Sequence, residues 1–306
     1  NSAIGLLLFK TFIYSFCKTL KKKLYYCANR NMRTAFEIIP SSLYSENCSL
    51  VCELSTEGFS YIIKDENKNS IEGLAVHHYD KSTPPVGFPI ALQILLHMQR
   101  NLSQRFKKVI INYSLPESVL VPFPSYDSTR NADVLNLVHG DLHGNGIILA
   151  DKIEEQKTYN VFRLRTDMHE VIQNQFPNAE HSHQYSVLLK KPAIKHNNLF
   201  VIFYARKIVV CLVKNGTPQL INTFYYQTAE DVSYTLLNIC QQFDVPNIVL
   251  TISGLLERKS ALYKEIYKYF ETIDIAPLPD FQKYHEEILV NPSHYLSHIF
   301  AIDPCE

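Results

Sequence analysis

The order of elements along this chain occurs twice, and that repetition constrains the fold more than any other feature. In the first half, residues 50–54 and 59–63 read as strands flanking the turn signal Ser55-Thr56-Glu57-Gly58. Residues 71–78 read as a third strand, after the polar turn Asp65-Glu66-Asn67-Lys68-Asn69. Pro84, Pro85 and Pro89 mark the entry to a helix over about 90–102, and the run 107–113, rich in β-branched residues, reads as a buried strand. In the second half, 199–204 and 207–213 are strands, Asn215-Gly216 is a hairpin signal, and 220–226 is the third strand. Thr228 is placed to cap the next helix, with Glu230 and Asp231 in its first turn, where the helix dipole favours acids. Val232, Leu236, Ile239, Cys240 and Phe243 give that helix an apolar stripe. Val245-Pro246 closes it, 247–253 reads as a buried strand and 255–270 as a further helix. Meander strands pair antiparallel, whereas a strand reached through a helix can pair in parallel. The expected class is therefore α/β, duplicated, with two mixed β-sheets flanked by helices.

Between the halves, residues 131–191 are irregular without being of low complexity, and 166–176 within them are helix-like. A composition of 46% apolar and 20% charged residues excludes a disordered chain. Only nine glycines are present, which argues against glycine-rich phosphate loops. The seven cysteines, Cys17, Cys27, Cys48, Cys52, Cys211, Cys240 and Cys305, are scattered singly with no CxxC pair. That excludes a zinc ribbon and fits reduced thiols, so a cytoplasmic location is expected. Six of the 30 basic residues and none of the 30 acids fall in residues 1–31, so the remainder carries 24 against 30, a net of −6. An acidic body does not suit a nucleic-acid partner.

Residues 4–16 are largely apolar but are interrupted by Lys10 and followed by Lys21-Lys22-Lys23. The run is shorter than a membrane span, and its charge lies on the wrong side for a signal peptide, so stable membrane insertion is not expected. The first methionine is Met32, and residues 1–31 read as an extension outside the native fold: translated upstream sequence or a poorly ordered segment.

The run Asn222-Thr223-Phe224-Tyr225-Tyr226-Gln227-Thr228-Ala229-Glu230-Asp231-Val232-Ser233-Tyr234 resembles a hallmark of a bacterial family of uncharacterised proteins with an actin-like ATPase fold. Gly58-Phe59-Ser60, Val119-Leu120-Val121-Pro122, Ser293-His294-Tyr295 and the terminal Cys305-Glu306 agree with it, and the similarity runs from about Ser49 to Glu306. The resemblance implies a duplicated actin-like ATPase (ribonuclease H-like) fold, related to cell-division and pilus-assembly actin-like proteins. It implies a first subdomain over 32–190 with an irregular insert and a second over 191–306.

Working members of that superfamily hold nucleotide phosphates on two hairpins, each with a D-x-G-like turn. Here the first hairpin offers Glu53, Ser55 and Gly58, while Glu57 puts another negative charge where phosphate would sit. The second, Phe203-Tyr204-Ala205-Arg206-Lys207, has neither Asp nor Gly, and the adenosine turn is reduced to Ser253-Gly254. The cleft candidates are thus Glu53, Ser55, Gly58, Arg206, Lys207, Ser253 and Gly254. No catalytic residue carries over, and ATP with magnesium is a doubtful cofactor. The expectation is a non-catalytic scaffold or regulatory binding protein whose partner is another protein. Residues 203–207 are expected to turn tightly toward 55–58 across a cleft. Arg206 and Lys207 are then either solvated turn residues or an anion site.

Other strings suggest chemistry. His139-Gly140-Asp141-Leu142-His143-Gly144-Asn145 resembles the catalytic loop of small-molecule phosphotransferases, and also a metallophosphatase motif. Its Asn stands four residues after the Asp rather than five, no glycine-rich nucleotide loop precedes it and no second metal-binding cluster follows, so a polar turn is expected. ATP binding or phosphoryl transfer through this loop or the cleft is the alternative function. His181-Ser182-His183 and His294-x-x-x-His298 lack a completing acid or cysteine, so partly exposed structural histidines are expected and no metal site. Tyr263, Tyr267 and Tyr269 are expected to pack against the sheet rather than mark a partner surface.

Overall fold

The computed structural model describes residues 32–39, 45–141, 146–190 and 197–302. The extension read over 1–31 and the terminal Cys305-Glu306 lie outside these residues. The first sheet is built on β1 (Met32–Ile38), β2 (Cys48–Ser55), β3 (Gly58–Asp65), β4 (Ser70–Tyr79) and β5 (Lys108–Ser114). Next, β6 (Ser118–Pro122), β7 (Gly146–Ile153) and β8 (Thr158–Arg165) form a small sheet of their own, in the order β6-β8-β7. β9 (Glu180–His183) returns to the first sheet, whose order is β1-β4-β3-β2-β5-β9. The second sheet runs β12-β11-β10-β13-β14, from β10 (Asn198–Phe203), β11 (Lys207–Lys214), β12 (Thr217–Tyr225), β13 (Val249–Gly254) and β14 (Ile273–Ile275).

Both sheets repeat one arrangement. β2, β3 and β4 form an antiparallel meander, and β5 and β9 add in parallel beside β2. β10, β11 and β12 do the same, with β13 and β14 added in parallel beside β10. Asn215 and Gly216 take φ of 53° and 75°, as a two-residue hairpin turn requires.

α1 (Phe88–Met98) and α3 (Thr166–Gln175) cover one face of the first sheet, burying Leu92, Leu96, Met168 and Ile172 against Leu50, Leu54 and Phe59. α2 (Asn131–His139) lies on the small sheet, its Leu135 in one core with Val121 and Val161. α4 (Gln184–Lys190) sits between the halves, with Tyr185 packed among Ile202, Tyr204 and Val209. α5 (Ala229–Gln242) carries the expected stripe, and Val232, Leu236 and Ile239 are buried against Leu199, Val201 and Phe203. Each such side chain contributes roughly 1.5–3 kcal/mol by burial. Thr228 caps α5 as expected, in a capping box with Asp231.

Three expectations change. The helix read over 255–270 is confined to α6 (Ala261–Ile266). Gly254 has φ 85° and the Leu255 N–H bonds the Phe203 carbonyl, so the chain bends back over the strand end before Ser260 caps the new helix. The helix read over 90–102 stops at Met98 and continues as a 3₁₀ turn, Arg100–Ser103. The region read as irregular holds α2 and two strands of the small sheet, of which β7 is only half-buried and so carries a weak apolar signal.

β15 (Lys283–Tyr284), α7 (Glu286–Leu289) and α8 (Ser297–Phe300) follow the second half in sequence but lie on the first. β15 pairs with β4, and Ile288, Ile299 and Phe300 are buried against Val51, Ile62 and Ile71. Among the described residues no helix is long and apolar enough to cross a membrane.

Candidate functional site

The two hairpins meet across the cleft. In the first, the Ser55 hydroxyl accepts the backbone N–H groups of Glu57 and Gly58, both at 3.1 Å. In the second, the Tyr204 N–H bonds the Lys207 carbonyl at 2.9 Å, closing a tight turn. The buried Glu57 carboxylate spans the gap: it accepts the Ala205 and Arg206 N–H groups, each at 2.8 Å. The hairpin donors that would face a phosphate are thus taken by Ser55 on one side and Glu57 on the other. Gly58 serves packing instead of phosphate approach, because a Cβ there would stand 2.0 Å from the His77 carbonyl oxygen.

Glu53 and Lys207 lie behind the hairpins in a buried polar network. Both Glu53 oxygens accept the Tyr204 hydroxyl at 3.1 Å. The Gln184 amide donates to Glu53 Oε2 at 3.2 Å and to the Tyr204 oxygen at 2.6 Å. Lys207 Nζ donates to the Ser114 carbonyl at 2.6 Å and its hydroxyl oxygen at 3.0 Å, and stands 4.6 Å over the Tyr204 ring. Burial raises the Glu53 carboxyl above the carboxylate range, with Lys207 and the Tyr204 hydroxyl pulling it back. Burial lowers the Lys207 ammonium, against the pull of Glu53 and Glu57. Lys207 is therefore neither a solvated turn residue nor open to an external anion: it is fully buried, as the first residue of a strand buried on both faces. The unbroken apolar run that follows it was the available signal. Arg206 alone of the two is exposed.

Ser253 and Gly254 are covered by the C-terminal segment. The His294 carbonyl accepts the Gly254 N–H at 2.8 Å and the Ser253 hydroxyl at 3.2 Å. Ser253 Oγ lies 3.2 Å from His298 Nδ1, and His298 Nε2 is 3.7 Å from Glu53. Serine, histidine and acid thus stand in line, but all three are buried. At Gly254 a Cβ would stand 2.2 Å from the Phe203 oxygen, so the glycine admits the close crossing of β10. The structure brings Glu53, Lys207 and Ser253 into one network, while Ser55 and Gly58 shape the first turn. Tyr204, from the second hairpin, and His298, from the His294-x-x-x-His298 string, join the network, while Gln184 and Ser114 complete it without any motif to announce them.

Beside the hairpins the cleft holds a cavity of about 600 Å³, with Leu54, Phe88, Leu115, Leu164 and Met168 among its apolar walls. Arg163 and Arg165, from β8, and Arg206 also line it.

The remaining candidates separate from this site. His139 ends α2 with Nε2 3.1 Å from the Ser118 carbonyl, Gly140 has φ 76°, and Asp141 is exposed. Leu142-His143-Gly144-Asn145 lie outside the described residues. His183, His294 and His298 are buried, not partly exposed: backbone groups partner the rings of His183 and His294, and the Ser253 and Glu53 side chains face that of His298. His183 Nε2 bonds the Leu115 carbonyl at 2.9 Å and its Nδ1 accepts the Tyr185 N–H at 3.1 Å, leaving no nitrogen for a metal. Among the described residues no group of three His, Cys, Asp or Glu side chains is placed to hold a metal ion. Tyr267 and Tyr269 are exposed, since the short α6 leaves them beyond the face that packs Ile266.

A family model described as a protein of unknown function (DUF3822) matches residues 40–273. A crystal structure from Bacteroides thetaiotaomicron VPI-5482, of a protein with an actin-like ATPase fold and unknown function, superposes with a TM-score of 0.70 at 20% identity. The match covers 86% of this chain and 97% of that one. A chain of the PilM–PilN type IV pilus biogenesis complex superposes with a TM-score of 0.53 at 9% identity, over 83% of this chain and 97% of that one. No curated protein matches the sequence. With the repeated strand order, these likenesses fix the fold as that of the actin-like ATPases.

Proposed function

The chain belongs to the DUF3822 family, and we propose that it works as a non-catalytic actin-like scaffold or regulatory binding protein whose partner is another protein. One observation carries this reading: the Glu57 carboxylate already occupies the N–H groups of the second hairpin. A phosphate entering between the hairpins has to displace an anion that the fold supplies with no loss of translational freedom. It also meets that carboxylate's charge in a site of low dielectric, where like charges repel strongly. The covering of Ser253 and Gly254 by His294 and His298 supports the same reading at the adenosine end. The PilM–PilN complex, a two-protein assembly containing a chain of this fold, is the precedent for a protein partner. We place the protein in the cytoplasm, where the buried Cys48, Cys52 and Cys211 stay reduced.

Thermal denaturation with and without MgATP tests the reading. At about 1 mM nucleotide, low-micromolar affinity for the native state would add roughly 3–4 kcal/mol of stability, a shift of several degrees. No shift is expected. A magnesium-dependent shift of that size overturns the proposal.

A further inference from the structure

The cleft cavity adjoins the hairpins without being the nucleotide pocket of an actin-like ATPase: neither Ser253 nor Gly254 lines it. Its volume of about 600 Å³ falls within the range of small-molecule sites. It draws walls from the first hairpin, from α1, from β8 and α3, and from Arg206, Tyr225, Tyr226 and Gln227 of the second half.

The charges around it are not equivalent. Arg163 is buried and fully engaged: its Nε pairs with Glu117, one Nη donates to Asn136 at 2.7 Å and the other to the Gly140 carbonyl at 2.8 Å. Arg165 pairs with Asp167 at 2.5 Å and donates to the Pro85 carbonyl at 2.9 Å. Glu57 holds the two hairpin N–H groups. Arg206 lines the same cavity, and no partner for its guanidinium is found among the described residues.

We propose that this cavity binds an amphipathic organic monoanion: an aliphatic or aromatic body seated on Leu54, Phe88, Leu115, Leu164 and Met168, with one carboxylate or sulfonate-like head on Arg206. The apolar walls supply affinity by burial, and the guanidinium supplies a planar pair of donors that matches such a head. A neutral ligand leaves Arg206 without a counter-charge. A polyphosphate brings several negative charges against a wall that already holds Glu57 and Glu117. A single charge on an apolar body satisfies both constraints. The ligand acts beside the protein partner proposed above and does not replace it.

The test uses two fluorescent probes on the full chain: anilinonaphthalene sulfonate, an aromatic monoanion, and phenylnaphthylamine, its neutral counterpart. Both bind saturably to the wild type. Arg206→Glu, confirmed as folded by near-ultraviolet circular dichroism, weakens the sulfonate at least about ten-fold and leaves the neutral probe unchanged, whereas Arg206→Lys, which keeps the charge but loses the planar pair of donors, weakens the sulfonate less than Arg206→Glu does. Leu115→Trp, confirmed as folded in the same way, puts a bulky ring against the apolar wall on which both probes sit and weakens both. Absence of saturable binding to the wild type overturns the proposal. So does sulfonate affinity that Arg206→Glu leaves intact, or binding of both probes to folded Leu115→Trp as to the wild type.

Discussion

Replacing Glu57 with Gln tests whether the two halves are locked by an internal carboxylate. The Glu57 side chain accepts two backbone N–H groups at 2.8 Å, one on each oxygen, and is 7% exposed. Glutamine keeps the shape but offers one carbonyl oxygen and one NH₂. It can accept from Ala205 or Arg206 but not both, and its amide then points hydrogens at the remaining donor. Losing one hydrogen bond to a charged group costs about 1.5–3 kcal/mol, and a buried N–H left unsatisfied costs about 1–3 kcal/mol. The two descriptions overlap, so the expected loss is about 2–4 kcal/mol rather than their sum. Urea denaturation at neutral pH gives the stability change by linear extrapolation. Native-state hydrogen exchange reports the lock directly, through faster exchange at Ala205 and Arg206. A stability loss below about 0.5 kcal/mol, with both amides as protected as in the wild type, would refute the idea that Glu57 joins the hairpins.

Two further outcomes are expected. His183 is buried neutral, its pKa pushed down to about 3 by burial, with Lys207 adding to the effect against the Leu115 carbonyl. A depressed folded pKa contributes stability that is present above the ordinary value of 6.5 and lost as pH falls toward 3. Between pH 7 and pH 4 the wild type should therefore lose about 3 kcal/mol more than His183→Gln, and parallel urea-stability profiles for the two proteins would contradict this. Gly58→Ala places a Cβ 2.0 Å from a backbone oxygen of the adjacent strand, so the loss should reach about 3 kcal/mol; an alanine variant as stable as the wild type would show that β3 and β4 can part without cost.

Much of the fold was legible because it is written in local patterns. Strands such as β5 and β11 are rich in β-branched residues, Asn215-Gly216 supplies the positive φ of a hairpin turn, and Thr228 with Asp231 announces the start of α5. These signals depend on neighbours a few residues apart, so they survive in one dimension, and their repetition was enough to indicate the duplication. The weak points were local too: the half-buried β7 of the small sheet alternates poorly, and the tyrosine-rich stretch after Gly254 has helical spacing that the crossing at Phe203 overrides.

The site was another matter. The sequence determined that both hairpins lack the usual Asp and that Glu57 adds a negative charge to the first. It could not say that Glu57 reaches 148 positions along the chain to Ala205, or that Lys207 leaves solvent to meet Ser114 while Arg206 beside it stays out. Nor could it show that the last described residues fold back over Ser253. Whether a charged side chain is a solvated turn residue or a buried partner depends on what the opposite half places against it. That is decided only when two sheets distant in sequence pack together, because burial and pairing, not residue type, set the free energy of a charge.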